Sequence, residues 1–264
     1  MKLGQRHLAA LLLCLMAGSP ALAGRACEPA PAVAANVAKS LDLALKTRTA
    51  LDAAGAQVAL VARVGQDLSK YKLVYSHVGL AWRDHPDGRW LVVHELNGCG
   101  TNTSELYNDG LGNFFLDDVF EYKAALIIPN MQTQARLAAL LGPAAALRLH
   151  APRYNMLAFP FSTKYQNSNQ WVLETYAAAS EAPGRINDRA QAQQWLRAAD
   201  YAPTTLDIPA STRLGGRMFR ANIAFDDHPF GRRMAGQIDT VTVESIMRFI
   251  RARDPEAKIL EVAL

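Results

Sequence analysis

Two runs of β-forming residues, 73–82 and 89–96, flank the turn His85-Pro86-Asp87-Gly88, and this pairing constrains the chain more than any other stretch. Proline presets φ for a tight turn, aspartate bonds its own backbone and glycine tolerates positive φ, so the runs read as an antiparallel hairpin. Side chains two apart on a strand share a face. Tyr75, His77 and Gly79 therefore point one way, Ser76 and Val78 the other, while His94 and Glu95 on the partner strand face opposite sides. Only one of His94 and Glu95 shares the face of His77, and a one-residue slip of register exchanges them. Taken singly, each histidine reads as a half-buried strand residue satisfied by backbone; together with a carboxylate they form a candidate site.

The hairpin sits in a chain of 264 residues, 50% hydrophobic and 20% charged, ample for one sizeable core. The start reads differently. Lys2 and Arg6 precede a short apolar run, Leu8 to Ala17, and Ala21-Leu22-Ala23 is a small-x-small box, so residues 1–23 are expected to be a signal peptide cleaved after Ala23. Residues 24–264 are then a single domain, exported to the periplasm, with no membrane anchor after cleavage. Cys14 lies inside the apolar run rather than after a cleavage box, which argues against a lipid anchor. Loss of Lys2 and Arg6 leaves 26 basic against 24 acidic residues, a formal charge of +2, too mild to point to nucleic acid. Arg213 to Arg220 and Arg232-Arg233 read as solvated surface, with a polyanion-binding patch as the less favoured alternative.

Cleavage also leaves two cysteines, Cys27 and Cys99. In an oxidising compartment a Cys27–Cys99 disulfide is the natural expectation, tying the mature N-terminus to the loop after the hairpin. The rival reading is a free, nucleophilic Cys99 in Gly98-Cys99-Gly100.

Elsewhere, Val33, Val37, Leu41, Leu45 and Leu51 recur near helical spacing up to Gly55, and 57–64 reads as a strand. Asn97 to Asp118 reads as a long loop. Ala124 to Ile128 reads as a strand and Gln132 to Leu141 as a helix stopped by Gly142-Pro143. Further helices are predicted over Ser168 to Ser180, Asp188 to Ala199 behind an Asn187 cap, and Val243 to Arg253 behind Thr242. Arg217 to Phe225 and Lys258 to Ala263 read as late strands. Strands and helices without a regular βαβ beat favour an α+β fold, an antiparallel sheet flanked by helices.

Asn167-Ser168 opens the helix that starts near residue 168, and Asn167 with Gln170 has the spacing of a capping box. Ser168 is then either part of an ordinary cap or a nucleophile at the positive end of the helix dipole, with backbone N–H groups close by. Asp226-Asp227-His228 is either a surface turn held by Asp hydrogen bonds or, with His77 or His94, a metal site. The turn is favoured, because adjacent aspartates rarely face one ion. No cofactor is called for.

Tyr75-Ser76-His77-Val78-Gly79-Leu80, Val92-Val93-His94-Glu95-Leu96 and Asn167-Ser168-Asn169-Gln170-Trp171-Val172 together resemble the circularly permuted papain-like superfamily. That group includes permuted relatives of NlpC-type cell-wall peptidases and the lecithin:retinol acyltransferase-like proteins. Arg63-Val64-Gly65, the Ser-His-Val-Gly strand and Tyr165 to Trp171 also resemble an uncharacterised family of exported proteobacterial proteins, a domain of unknown function, over most of the mature chain. The superfamily resemblance implies a permuted papain-like fold with His77 as base, His94 or Glu95 as its orienting partner and Ser168 at the nucleophile position. Tyr75, Asn167, Asn169 and Trp171 flank the implied groove as candidate substrate-binding residues. This chain departs from the pattern in carrying Ser168 where those enzymes have cysteine. A serine has almost no alkoxide at neutral pH and leans far more on its base. Two outcomes are physically sensible: acyl transfer or amide or ester hydrolysis by Ser168, with peptidoglycan or another envelope component as partner, or an inactive envelope module that binds a peptide, glycan or protein.

Overall fold

The structure, a computed structural model, describes residues 33–117 and 119–264. The expected leader, and Cys27 with its expected disulfide to Cys99, lie outside the described residues.

A six-stranded sheet in the order β4-β3-β2-β1-β5-β8 organises the chain, every neighbouring pair antiparallel. Its strands are β1 (Val58–Val64), β2 (His77–His85), β3 (Gly88–Asn97), β4 (Ser104–Gly110), β5 (Glu121–Ile128) and β8 (Lys258–Ala263). All seven residues of β1 are buried, because this strand has both faces covered. One face carries Leu60, Leu80, Val93 and Ile127 against α5 (Ser168–Ser180) and α9 (Val243–Arg253). The other carries Val61, Ala81, Val92 and Leu126 against α1 (Ala34–Ala53) and α2 (Leu111–Leu116). Between β5 and α5 lie α3 (Met131–Leu140) and α4 (Pro143–Ala146); α6 (Arg189–Ala198) follows α5. A two-stranded ribbon of β6 (Thr204–Asp207) and β7 (Gln237–Thr240) has its own small core around Leu206, Phe225 and Ile238.

The hairpin forms as the Pro-Asp turn predicts, but β2 begins at His77. The N–H groups of Val74 and Tyr75 go instead to the Glu244 carboxylate, at 2.7 and 3.0 Å, which takes them out of the ladder. The segment 97–118 is not a loop: it contains β4, paired to β3 from Leu91↔Gly110 to Asn97↔Ser104, and then α2. As an edge strand with a largely open surface, β4 carries no apolar alternation to reveal it. The stripe of α1 that packs is Ser40, Leu43, Ala44, Thr47 and Leu51, while Val33, Leu41 and Leu45 face outward. Arg217 to Phe225 is not a strand either. Its first part ends helix α7 (Ala210–Phe219), and turns lead from there to α8 (Phe230–Met234). Asp188, rather than Asn187, caps α6, accepting from the Gln191 N–H.

Candidate active site

Register decides what the hairpin sequence left open. Leu80 lies opposite Val93, which sets Gly79 opposite His94, and His94 in turn pairs with Tyr107, two residues from Asp109. His77, His94 and Asp109 therefore stand on one face, across β2, β3 and β4, and Glu95 points to the other. Gly79 has to be glycine here: a Cβ would lie 2.5 Å from Val92 Cγ1 and 3.0 Å from His94 Cβ. The bare backbone leaves room for the His94 ring to lean toward His77.

The three side chains form a hydrogen-bonded row that ends on Ser168. Asp109 Oδ2 is 2.9 Å from His94 Nε2, His94 Nδ1 is 2.9 Å from His77 Nε2, and His77 Nδ1 is 3.1 Å from Ser168 Oγ. Proton positions follow from what each partner can offer. An ionised Asp109 only accepts, so His94 carries its proton on Nε2. Its Nδ1 is then an acceptor, which places the His77 proton on Nε2 and leaves the Nδ1 lone pair aimed at the Ser168 hydroxyl. One carboxylate at the far end thus orients every proton in the row.

Burial holds both imidazoles neutral. It pushes His77 well below the ordinary histidine range, helped by the Arg63 charge and by His94; His94 is lowered by burial too, with Asp109 pulling it partly back. Arg63 lies opposite His77 on β1, stacks over the Phe114 ring at 4.9 Å, and is bound to the Phe114 carbonyl and, at 2.7 Å, to Asp117. Phe114 also packs on both imidazoles, with ring centroids 5.8 Å from His77 and 5.3 Å from His94. Ser168 and His77 are each 8% exposed, and the Asp109 side chain, at the other end, is 30% exposed.

Ser168 is the first residue of α5, and the helix start is pinned from several sides. Asn167 is the cap: its Oδ1 accepts from Gln170 N at 2.8 Å and its Nδ2 donates to Thr240 Oγ1 at 3.0 Å. Gln170 does not complete a capping box. Its amide donates to the Pro160 carbonyl and to Glu174. Asn169 Oδ1 accepts from the Val78 N–H at 3.1 Å, locking the helix start to the strand that bears His77. Below it, fully buried Glu174 accepts from Gln166, Gln170, Gln193 and, in a pair of bonds at 2.8 and 3.2 Å, Arg189. Arg189 also donates to the carbonyls of Thr163 and Tyr165, fixing the segment that delivers Ser168.

On the other flank of Ser168 lies Tyr154, held there by the parallel bridge Tyr154↔Gln166. Its hydroxyl contacts the Ser168 side chain and backbone, while burial, seconded by Glu95, keeps the phenol protonated far above its usual range. Glu95 is wholly buried on the face opposite His94. Its Oε1 accepts from Ser104 Oγ at 2.7 Å, and Oε2 has no hydrogen-bond partner among the described residues. Burial pushes this carboxyl up to about 8.

Of the residues singled out from sequence, His77, His94, Asn167, Ser168 and Asn169 come together. Glu95 does not reach His77. Tyr75 turns its hydroxyl to Glu261 at 3.0 Å, and Trp171 is fully buried with its indole N–H toward the Ala146 carbonyl. Asp109 and Tyr154 escaped the sequence reading, the first in a polar edge strand with no periodicity and the second in irregular chain.

Asp226, Asp227 and His228 do not converge. Asp226 pairs with Lys164 at 2.7 Å, and Asp227 accepts from Phe159 N. His228 is buried between Asp227 and the Asp239 carbonyl, each 3.0 Å away. Among the described residues no group of three or more His, Cys, Asp or Glu side chains is placed to hold a metal ion.

No curated protein and no solved structure matches this chain. Residues 50–250 match a family described as "uncharacterized protein conserved in bacteria (DUF2145)", a span that runs from the end of α1 into α9 and takes in every residue of the row. The chain, with its serine-ended row of two histidines and an aspartate, belongs to that family.

Proposed function

We propose that this protein is an exported, papain-like acyl-transfer enzyme that cleaves amide or ester bonds of the cell envelope through Ser168. The observation that carries the reading is the directed row Asp109, His94, His77, Ser168, which leaves an imidazole lone pair on the serine hydroxyl. As Ser168 Oγ attacks a carbonyl carbon, its proton passes to His77 Nδ1. The His77 imidazolium then donates to His94, which donates to Asp109, so the new charge is countered at the far end of the row. The carbonyl oxygen gains a negative charge beside the first-turn N–H of Asn169, which has no acceptor within the helix. His77 hands its proton to the leaving group, the acyl group rests on Ser168, and water or another acceptor, deprotonated by His77 in turn, releases it.

Export through a cleaved leader, a Cys27–Cys99 disulfide and a permuted connectivity belong to the same reading. In it Tyr75 and Trp171, whose side chains are buried and engaged elsewhere, back the groove rather than line it. The low exposure of Ser168 and His77 favours a second reading, a closed module that binds an envelope peptide, glycan or protein without turning it over.

A fluorophosphonate separates the two. Covalent labelling of the purified protein that disappears in Ser168→Ala and falls strongly in His77→Asn supports the enzyme. A folded protein that stays unlabelled, or a label that survives Ser168→Ala, supports the binding module.

A further inference from the structure

The four most exposed large apolar side chains among the described residues all fall within one excursion, the chain between β6 and β7: Phe230 at 70%, Met218 at 66%, Met234 at 63% and Leu214 at 62%. They sit on two helices that repeat a five-residue pattern. Leu214-Gly215-Gly216-Arg217-Met218 on α7 and Phe230-Gly231-Arg232-Arg233-Met234 on α8 each set an apolar pair four residues apart, with an arginine one residue before the second. Residues four apart stack on one helix face, so each helix offers an apolar pair edged by a cation.

The two helices leave the ribbon from the same end. Asp207, the last residue of β6, pairs with Gln237, the first of β7, and the Ile208 N–H donates to the Gly236 carbonyl at 2.9 Å. The inner side of α7 is taken: a Cβ on Gly216 would meet Ile223 at 3.4 Å, and Ile223 packs on the small core of the ribbon. The apolar pairs therefore have no place in that core.

We propose that this end of the ribbon, α7 with α8, docks the protein onto the surface of an anionic lipid bilayer. An amphipathic helix with exposed Leu, Met and Phe edged by arginine lies in the headgroup layer, apolar side chains down and guanidinium groups on phosphates. The charge is complementary to such a surface. The excursion carries Arg213, Arg217, Arg220, Arg232 and Arg233 against Asp226 and Asp227, which are held by Lys164 and bonded to His228 and the Phe159 N–H. Arg232 is paired with Asp239, whereas Arg217 and Arg220 are exposed and have no acidic partner among the described residues. A soluble polyanion would use the arginines and leave four large apolar side chains in water; a lipid surface uses both. The helices are too short to span: no helix of the described chain is long and apolar enough to cross a membrane.

The excursion is also bound to the segment that carries Tyr154. Met156 N donates to the Asn222 carbonyl at 2.9 Å, and Asn155 exchanges side-chain bonds with both backbone groups of Ala224. Docking would thus hold the Ser168 end of α5 near the bilayer.

Vesicle flotation of the full chain tests this, with mixed phosphatidylglycerol–phosphatidylcholine vesicles against pure phosphatidylcholine, at low and high salt. Parent and variants share the same N-terminus, so differences between them report on this patch. Expected are binding to the anionic vesicles, loss in high salt, a drop of about fivefold for each of Arg217→Gln and Arg220→Gln, and a drop of more than about tenfold for Leu214→Ser, Met218→Ser, Phe230→Ser and Met234→Ser together. The arginine variants change only exposed side chains and keep the test decisive if the apolar set fails to fold. A parent that stays off anionic vesicles overturns the proposal, as does one whose binding both sets of substitutions leave intact. So does a parent that dimerises through this patch instead of binding vesicles, or that binds heparin as tightly as vesicles and without regard to the apolar set.

Discussion

Two clusters of buried polar side chains meet at the start of α5, and they are built on opposite plans. Around Glu174 one buried carboxylate gathers Arg189 and three glutamine amides, each donor on a fixed oxygen, and the cluster faces no solvent. Along Asp109, His94, His77 and Ser168 each group makes one bond to the next, in a single direction, and the last hydroxyl is left beside an imidazole lone pair. A network that fills both oxygens of its carboxylate rigidifies; a row bonded in one direction is the arrangement along which a proton could pass. The first holds the helix in place, and the second owes its last bond to that position.

The sharpest way to break this comparison is Arg189→Ala, which leaves the Glu174 carboxylate without its counter-charge. Urea unfolding should show a loss of about 3–5 kcal/mol. A loss no larger than an ordinary surface change would mean that the cluster is not what anchors α5.

Asp109→Asn should do the reverse. With its carboxylate a third exposed, little stability is at stake, but an amide can donate to His94 Nε2 and turn the whole row round, pointing an N–H rather than a lone pair at Ser168. Labelling by the fluorophosphonate should slow by roughly 10³-fold with the urea midpoint nearly unchanged. If stability falls as far as in Arg189→Ala, the row is structural and the contrast fails.

The last test, a slope with pH rather than a loss at one pH, lies on β3 itself, where His94 and Glu95 are neighbours with opposite fates. Glu95 is raised by burial from 4.5 to about 8, so across that window the folded protein keeps a proton that the unfolded chain has released. Stability should therefore fall as pH rises from 4.5 to about 8 and level off beyond, by up to about 5 kcal/mol for a shift of this size. Glu95→Gln removes that slope while keeping an acceptor for Ser104. Parallel melting-temperature curves for parent and variant would show that Glu95 is not the group responsible. His77 and His94, both lowered by burial, act with the opposite sign: their neutrality is disturbed only in acid, below the ordinary histidine range.

Much of the fold could be read from local chemistry. The Pro-Asp-Gly turn, the stop at Gly55, the Thr242 cap and the Asn167 cap each act within a few residues, and the helices at 168–180 and 243–253 form where those signals lie. Where the signal depended on a distant partner, the reading failed. In α1 the apolar positions most regular in sequence face outward, because the face that docks is chosen by the contour of β1 and α2. The polar strand β4 exists because β3 offers it an edge, and without β4 there is no reason to look at Asp109.

The same division runs through the site. Residue types, the alternation that separates His94 from Glu95, and a polar helix start at Ser168 were determined by the sequence, since each follows from geometry local to one strand or one helix end. Which of the two residues meets His77, that an aspartate closes the row, and that Ser168 Oγ lies 3.1 Å from His77 Nδ1 were decided only by tertiary structure. Strand register and the docking of a helix onto a sheet join residues 15 to 91 positions apart, through shape and burial that no local pattern encodes.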